Sequence, residues 1–403
     1  MTDFIYNHTG PDTDKISLKN IKSIPPCPTT ENNIYVYRWG TFSLFNKLTF
    51  KGYKELHILA DDLPNLQDCI SLEHCFYGVN IHSIGSLGSN WNISNVTNMS
   101  GMFYKSVYNG IIDMSNWNVS NVTNMSYMFS ESKLNGIKLT GFPDSSVSNW
   151  NVSNVTNMRN MFDNTVFNAI GLSGSSIFNI SNWNVSNVKN MSYMFRKCTL
   201  REWSLDISNW NVSNVTNMKY MFSENTFDGI GLSIPDISNW NVSNVKNMGD
   251  MFVRSRFDGD ISNWNVSNAV DMSYMFRESL FSGMAHGIYN WNVFNVTNMR
   301  DMFYKSVFND LESSCISNWN FKNDTVKSHI PLHLLVEKYS YEKLSFHKDT
   351  IYNDICPICE SIDKLIVNTC KHVICHICYT SFKDNNIDKC PLCRQTICII
   401  AKI

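Results

Sequence analysis

The chain has 403 residues, of which 43% are hydrophobic, 13% aromatic and 17% charged, and this composition excludes a chain that is disordered throughout. The 33 basic and 35 acidic residues give a formal net charge of -2, which argues against a nucleic-acid partner or an anionic membrane surface. Because the sequence shows neither a run of ~18 apolar residues nor a signal-peptide pattern, we expect an intracellular protein, cytoplasmic or nuclear, that is not secreted and has no membrane partner.

Residues 1–50 form a short, turn-rich segment in which Pro25, Pro26 and Pro28 lie close together. The sequence assigns this segment no role. The stretch LEHCF, which begins at Leu72, resembles the end of the repeat that follows it. We therefore expect a degenerate first unit or cap to begin near residue 51, as is usual at the end of a repeat array.

The middle of the chain is an internal repeat, which is clearest in the segment WNVSNVTNMSYMF that begins at Trp117. Near-copies begin at Trp91, Trp150, Trp183, Trp210, Trp240, Trp264 and Trp291, and a broken copy begins at Trp319. The 228 residues from the first to the last of these tryptophans make eight steps of 28.5 residues on average. A period of about 20–50 residues is typical of a solenoid, which we predict over residues 51–327.

Each unit of the repeat is predicted to contain one short helix. Met125, Met128 and Phe129 share one face of an α-helix, so we expect a tight turn followed by a short helix. Thr123 or Asn124 could cap this helix by accepting a backbone N–H.

Each unit is also predicted to contain one short strand, because segments such as FDGDISNW around Ile261 alternate apolar and polar residues. Every full unit contributes two methionines. We interpret them as core residues, since methionine fills irregular gaps, although a methionine stripe also suits a copper or peptide-binding surface. The repeated Trp-Asn pair has a similar interpretation, with tryptophan packing between units and asparagine bonding backbone groups in a turn.

The W-x-x-S-N-V-x-x-M-x-x-M-F pattern resembles the BspA-like leucine-rich repeats over roughly residues 70–320. The resemblance implies a right-handed, leucine-rich-repeat-like solenoid that binds partners and has no chemistry of its own. Many such proteins are extracellular adhesins, and the overlapping N-x-[ST] sequons of each unit would then accept glycans. A structural role for these asparagines is the interpretation that we favour, since the sequence shows no secretory signal.

We expect a protein substrate or adaptor to bind where the units differ, because variation within a rigid repeat can carry specificity. The candidate positions are Ser126/Tyr127, Arg159/Asn160, Lys219/Tyr220, Gly249/Asp250 and Arg300/Asp301. The longer loops near Pro143 and Ser173 are an alternative.

Residues 328–350 are predicted to form a capping or connecting helix. Ser328 is a plausible N-cap, and Leu332, Leu335 and Val336 follow it at helical spacing.

Eight of the 13 cysteines lie between Cys356 and Cys398, which indicates a metal-binding module in a reducing compartment. The pattern is Cys356-x2-Cys359-x10-Cys370-x-His372-x2-Cys375-x2-Cys378-x11-Cys390-x2-Cys393. Four pairs of thiolate or imidazole ligands fit two tetrahedral Zn²⁺ ions, and a site with four protein ligands is structural rather than catalytic. His376 is an alternative ligand that breaks this spacing, and Cys398 lies outside the pattern.

Residues 351–403 resemble the RING finger in its C3HC4 form, a small zinc-stapled α+β domain. The resemblance implies that the pairs interleave, whereas the spacing alone leaves the pairing open. One ion would be held by Cys356, Cys359, Cys375 and Cys378, and the other by Cys370, His372, Cys390 and Cys393.

RING fingers usually act as E3 ubiquitin ligases, which position a ubiquitin-charged conjugating enzyme and form no covalent intermediate. By this resemblance, Ile358, Phe382 and Pro391 would form an apolar groove for the conjugating enzyme. Arg394 would contact both that enzyme and ubiquitin, since its planar group can bond two carbonyls at once.

The sequence therefore predicts a RING-type E3 ubiquitin transferase whose solenoid binds a protein substrate or adaptor. The alternative is a non-catalytic, zinc-containing interaction scaffold. Residues 394–403 resemble strands through which some RING fingers form homodimers. A strand that completes the module's own core explains the isoleucines of this tail equally well, namely Ile397, Ile399, Ile400 and Ile403.

Overall fold

The structure is a computed structural model, and no helix that it describes is long and apolar enough to cross a membrane. It describes residues 4–7, 15–19, 24, 33–41, 43–44, 46–83, 90–108, 114, 116–135, 147–168, 180–200, 205–225, 235–282, 288–310, 316 and 319–330, together with strands at 365–368, 373–375 and 399–402.

The main element of the described chain is a nine-stranded sheet. Its strands are β1 (Phe4–Asn7), β2 (Lys15–Lys19), β3 (Asn33–Arg38), β5 (Glu55–Ile58), β7 (Asn80–Ser83), β8 (Val107–Tyr108), β9 (Lys133–Asn135), β10 (Val166–Asn168) and β11 (Thr199–Leu200). They lie in that order across the sheet. The pair β1–β2 is antiparallel and every later pair is parallel. The units as far as β11 thus add one parallel strand each, whereas residues 256–260 and 280–282 of later units form no strand. At its other end, the sheet continues into the segment before residue 51.

A second parallel ladder runs along the stack at the residue that precedes each first methionine, which is asparagine except at Asp271. It begins with the short strands β4 (Asn46–Lys47) and β6 (Cys69–Ser71), which pair in parallel. Single bridges then join Ser71 to Asn98, Asn98 to Asn124, and each later equivalent residue as far as Asn298. Each unit is therefore attached to its neighbour at two or more places along its length.

The short helix predicted in every unit is wrong, because two consecutive tight turns take its place. In the unit that begins at Trp117, the N–H of Met128 donates to the carbonyl of Met125 at 3.3 Å. The N–H of Ser130 donates to the carbonyl of Tyr127 at 3.2 Å and closes the second turn. Methionines three residues apart therefore meet on one side of a turn, as they would on a helix.

Alternate N–H groups of this segment, from Met125 to Glu131, bond to the next unit. Met125, Tyr127 and Phe129 donate to carbonyls of the following unit at 3.0, 2.8 and 2.9 Å. Tyr127 and Glu131 have φ angles of 58° and 54°, and both equivalent positions are left-handed in each unit from residue 74 to residue 305. A helix would use the same N–H groups within the unit, so bonding between units excludes it.

The predicted strand around Ile261 is also misplaced. Where a strand is described in a repeat unit, it begins four residues after the phenylalanine of the turn, as β8 does after Phe103. Ile261 is buried outside any strand, and its carbonyl accepts hydrogen bonds from the backbone of Trp264 at 3.2 Å and from the indole of Trp291 at 3.2 Å. The alternation around it reflects one buried side chain between two polar turns.

The core consists of columns of identical side chains, and it confirms the interpretation of the methionines. Both methionines of every full repeat are completely buried. A column of phenylalanines stacks at centroid distances of 5.1 to 5.8 Å, with one ring from each of Phe50, Phe76, Phe103, Phe129, Phe162, Phe195, Phe222, Phe252, Phe276 and Phe303. Aromatic pairs of this kind contribute about 0.5–1.5 kcal/mol each beyond their burial, so stacking stabilises each interface between units.

The repeated asparagines have the predicted structural roles. Asn121 donates from Nδ2 to the carbonyl of Ser94 in the preceding unit at 2.7 Å. Asn124 accepts the N–H of Ser126 through Oδ1 at 3.1 Å, which makes a turn rather than a helix cap. Asn118 accepts the N–H of Ser120 in the same way at 3.1 Å.

Helices are short in the described residues: α1 (Val307–Asp310), α2 (Asp324–Lys327) and one 3-10 turn (Ile288–Asn290). Asn323 caps α2 by accepting the N–H of Val326 at 3.0 Å. Ser328, predicted to start a helix, is instead the residue at which α2 ends. Residues 331–350 of the predicted capping helix lie outside the described residues.

The C-terminal segment contains a separate antiparallel sheet of β12 (Leu365–Asn368), β13 (Val373–Cys375) and β14 (Ile399–Lys402). Its strand order is β13-β12-β14. The C-terminal strand thus pairs with β12 of the same chain, as the intramolecular interpretation of the isoleucines expects. The RING homodimer through residues 394–403 stays a prediction.

Candidate interaction surface

The turns of successive units form one continuous surface, which we call the turn face. It comprises the first, second, fifth and sixth residues after the first methionine of each unit, for example Ser126, Tyr127, Ser130 and Glu131 after Met125. At the second and sixth positions after the first methionine, such as Tyr127 and Glu131, the backbone is left-handed. Because the backbone beneath them is hydrogen-bonded to both neighbouring units, the turn face holds its side chains in fixed positions.

The centre of the turn face combines tyrosines and arginines. The guanidinium carbon of Arg159 lies 5.8 Å from the ring centroid of Tyr127 and 5.7 Å from that of Tyr193. Tyr193 stacks on Tyr220 with centroids 4.6 Å apart. Cation–π contacts of this kind are worth about 0.5–1 kcal/mol at exposed sites. Arg159 is therefore positioned by two units while remaining exposed to a partner.

A second cluster lies toward the C-terminal end of the stack. Arg277 has its guanidinium carbon 5.4 Å from the ring centroid of Tyr274 and 5.0 Å from that of Tyr304. Glu278 accepts hydrogen bonds from Arg254 at 2.8 Å and from Arg277 at 3.2 Å. The two arginines hold the pKa of Glu278 below its usual value, and the bond from Arg254 has the larger effect.

Burial changes the acidity of one pair on this face. The pKa of Tyr220 is raised to about 12, first by burial and then by the neighbouring Asp250. The pKa of Asp250 is raised by burial, and hydrogen bonds from Tyr220 and Lys219 oppose that effect. Tyr220 thus keeps its proton near neutral pH and donates a hydrogen bond to Asp250.

The predicted binding positions differ in their exposure. Ser126 and Gly249 are buried, and Tyr127, Lys219, Tyr220 and Asp301 are half-buried. Arg159 and Arg300 are exposed, as a contact residue must be. Asn160 and Asp250 are buried, at 5% and 7% exposure. Asn160 donates to Asp163 of its own turn at 2.7 Å, so these two side chains position their neighbours.

Sequence reasoning missed the fifth and sixth positions of the turn face, which carry Arg196, Arg254, Arg277 and Tyr304. The signal was available, because these positions also differ from unit to unit. Without the left-handed turns, however, the pattern did not show that they lie beside the first and second positions. The loops near Pro143 and Ser173 lie outside the described residues.

The family model described as Mycoplasma protein of unknown function, DUF285, matches the chain four times in overlapping segments. The matches span residues 70–170, 145–229, 165–282 and 224–330. Together they cover more than half of the chain. The chain belongs to this family. No curated protein and no solved structure matches the chain significantly.

The overlapping DUF285 matches confirm that the chain is a repeat protein. Its repeats, rather than its C-terminal cysteines, are therefore what relate it to other proteins. The family description gives no function, so the turn face has to be interpreted from its own residues.

The resemblance of the repeats to BspA-like repeats agrees with the DUF285 match, but the assignment of the C-terminal segment to the RING family is wrong. The family comparison matched the repeats and found no RING domain. Paired cysteines specify which atoms can bind a metal, but they do not specify the path of the chain between the pairs. The C-terminal pattern was therefore insufficient to assign a family.

Of the eight predicted zinc ligands, the structure describes only Cys375, as the last residue of β13. The other predicted ligands lie outside the described residues, namely Cys356, Cys359, Cys370, His372, Cys378, Cys390 and Cys393. The predicted conjugating-enzyme contacts Ile358, Phe382, Pro391 and Arg394 lie there too.

Proposed function

We propose that this protein is a binding scaffold whose repeat stack, a right-handed solenoid of the leucine-rich-repeat type, holds a partner protein on its turn face. The observation that carries the proposal is the position of Arg159 between Tyr127 and Tyr193, each from a different unit. Tyrosine and arginine are enriched among the residues that dominate protein–protein binding energy. An exposed arginine that is already ordered loses less side-chain entropy when a partner binds.

The charge of the turn face favours a partner with both acidic groups and apolar groups. Arg159 and Arg300 offer exposed guanidinium groups, and Tyr304 offers an exposed ring, at 44% exposure. A carboxylate on the partner can make paired hydrogen bonds with a guanidinium, while its apolar side chains cover the tyrosine rings. Acidic residues of the same face would repel a uniformly acidic partner.

Site-specific photo-crosslinking in cells tests this proposal. A photoreactive amino acid is placed at Asn164 or Lys305, which are exposed positions of the turn face that leave Arg159 and Arg300 intact, and at Lys189 as an exposed control outside the turn face. We expect both turn-face positions to crosslink to the same protein and the control position to give no such product. Equal crosslinking at all three positions, or none at the turn face, would contradict the proposal.

We also propose that the C-terminal segment binds two structural Zn²⁺ ions. The support is the donor set itself, seven thiols and one imidazole in four closely spaced pairs, which is the chemistry that zinc prefers. A module of about 50 residues buries too little apolar surface to fold without such a constraint. Metal analysis should give a lower zinc content for Cys356→Ser than for the unsubstituted chain.

A ubiquitin-ligase function for this segment is a second candidate, supported by the same ligand pattern and by no family match. It requires that the zinc-bound segment recruit a charged ubiquitin-conjugating enzyme, with Arg394 as a contact. Autoubiquitination with a panel of conjugating enzymes tests it. Ubiquitin chains that wild-type protein makes and that are lost in both Arg394→Ala and Cys356→Ser would support the ligase function. If the zinc-loaded protein makes no ubiquitin chains, the scaffold function is the one that remains.

A further inference from the structure

Three potential metal ligands lie together on the outer face of the sheet, away from the turn face. Glu55 and His57 are alternate residues of β5, and the buried residues Leu56 and Ile58 point into the core between and beside them. His82 lies on the adjacent strand β7 and follows the buried residue Ile81. Alternation along both strands therefore places all three polar side chains on the same side of the sheet.

The register of the two strands brings the histidines side by side. Leu56 pairs with Ile81, but His57 pairs with Ser83, so β7 has an extra residue at this point. That residue is His82, and its ring stacks on the ring of His57 with centroids 4.5 Å apart. Tyr35 of β3 stacks on the other face of His57 at 4.5 Å, which restricts the orientation of that imidazole.

The distances among the three side chains suit a metal ion better than direct hydrogen bonds. The Oε2 atom of Glu55 lies 3.6 Å from Nε2 of His57 and 3.8 Å from Nε2 of His82. Both distances exceed the hydrogen-bond range of about 2.7–3.2 Å. Tetrahedral bonds of about 2.0–2.1 Å to one ion would place the ligand atoms about 3.4 Å apart, a few tenths of an ångström closer than the two distances from Glu55.

We propose that Glu55, His57 and His82 bind one divalent transition-metal ion, with Zn²⁺ as the best match. Two imidazoles and a carboxylate are ligands that Zn²⁺, Cu²⁺ and Ni²⁺ accept, whereas Mg²⁺ and Ca²⁺ prefer oxygen ligands alone. All ligand atoms lie within 4.8 Å of one another. The planes of the two imidazoles are within 5° of parallel, so their nitrogens do not point at a common position. Binding of one ion therefore requires the exposed His82 ring to rotate toward the other two ligands.

The site has three protein ligands, so a fourth coordination position stays open to water or to a group from a partner. The ion would also connect β5 to β7 and add its binding free energy to the stability of the folded stack. Both consequences are independent of the partner that binds the turn face.

Zinc titration of the full chain tests the site, with bound metal measured after removal of excess ion. His82→Gln and Glu55→Gln each remove one ligand from the outer face of the sheet. His74→Asn is the matched control, since it removes a histidine of the turn face that is not part of the cluster. We expect the unsubstituted chain and the control to bind one more Zn²⁺ per molecule than either ligand variant.

Cobalt spectra separate this site from the cysteine-rich segment. Co²⁺ bound to thiolates has sulfur-to-metal charge-transfer absorption, which a nitrogen- and oxygen-bound ion lacks. We expect His82→Gln to lose one equivalent of Co²⁺ without losing thiolate absorption. Equal metal content in the unsubstituted chain and both folded ligand variants, checked by circular dichroism, would overturn the proposal.

Discussion

The carboxylate of Asp163 accepts two hydrogen bonds from the guanidinium of Arg196, one unit further along the stack, at 2.7 and 3.0 Å. The Asp163 side chain is 4% exposed, so its charge is neutralised by the Arg196 guanidinium, and Asn160 donates a further hydrogen bond to it. The contact therefore couples the turn face to the stability of the stack.

Replacing Arg196 with methionine should destabilise the protein by about 2–4 kcal/mol, because it leaves a buried charge without its partner. Arg254→Met is the matched control, since the pair that Arg254 forms with Glu278 is exposed and should contribute less than about 1 kcal/mol. Urea unfolding of both variants measures the difference. Equal losses of stability would show that the Asp163 pair is solvated in solution.

The raised pKa of Asp250 predicts the direction in which this carboxyl changes the stability of the fold. A carboxyl whose pKa is higher in the folded state than in the unfolded state destabilises the fold when it is ionised. Asp250→Asn should therefore stabilise the protein at neutral pH. This gain in stability should disappear as the pH falls through the pKa of Asp250 in the folded state and then below its unfolded-state pKa of 3.8. The left-handed backbone there accepts asparagine, as Asn160 shows in an equivalent turn.

Asp236 is the control, because its substitution is expected to change stability in the opposite direction. Its pKa is lowered by hydrogen bonds from the hydroxyl and N–H of Ser238, so Asp236→Asn should destabilise the protein at neutral pH and lose that effect in acid. Thermal melts of both variants between pH 3 and pH 7 measure the two trends. The same pH trend in both would contradict the environments described for these carboxyls.

Gly101 is predicted to be the more sensitive of two left-handed glycines. A Cβ atom there would lie 2.8 Å from the imidazole of His74, whereas at Gly78 it would meet nothing within 4 Å. Both residues have positive φ, 59° and 68°, so alanine costs about 1–2 kcal/mol of backbone strain at either position. Gly101→Ala should cost about 1 kcal/mol more than Gly78→Ala in chemical unfolding, because the new methyl group must displace the ring.

A second substitution tests the cause of that difference. Adding His74→Ala to Gly101→Ala should remove the extra cost, because the ring that the new methyl group meets is gone. If the double variant stays as unstable as the sum of the two single variants, the clash does not explain the effect.

The sequence predicted the contents of the core better than the conformation of the backbone around it. The spacing of Met125, Met128 and Phe129 placed all three inside, because any tight turn or helix returns to the same side after three residues. The spacing could not distinguish a tight turn from a helix, since the feature that decides between them is the left-handed backbone at Tyr127 and Glu131. Tyrosine and glutamate seldom adopt that conformation, so these residue types did not indicate a left-handed turn.

The sequence predicted only part of the turn face, because that prediction also lacked the backbone conformation of the turns. Arg159 and Arg300 follow a methionine directly, where variation between units is easy to see. Arg196 and Arg277 lie four residues further on, and the double turn is what brings them beside the first pair of positions. The cluster of Glu55, His57 and His82 depends on an extra residue in β7, which sequence alternation cannot reveal.

The most direct test of the account measures how tightly the protein identified by crosslinking binds to purified variants of the full chain. Arg159→Ala should weaken binding at least about tenfold, the loss typical of a central arginine, while Lys189→Ala outside the turn face should leave the affinity unchanged. Unaltered affinity in Arg159→Ala together with weakened binding in Lys189→Ala would show that the partner is held on another surface and would contradict the account.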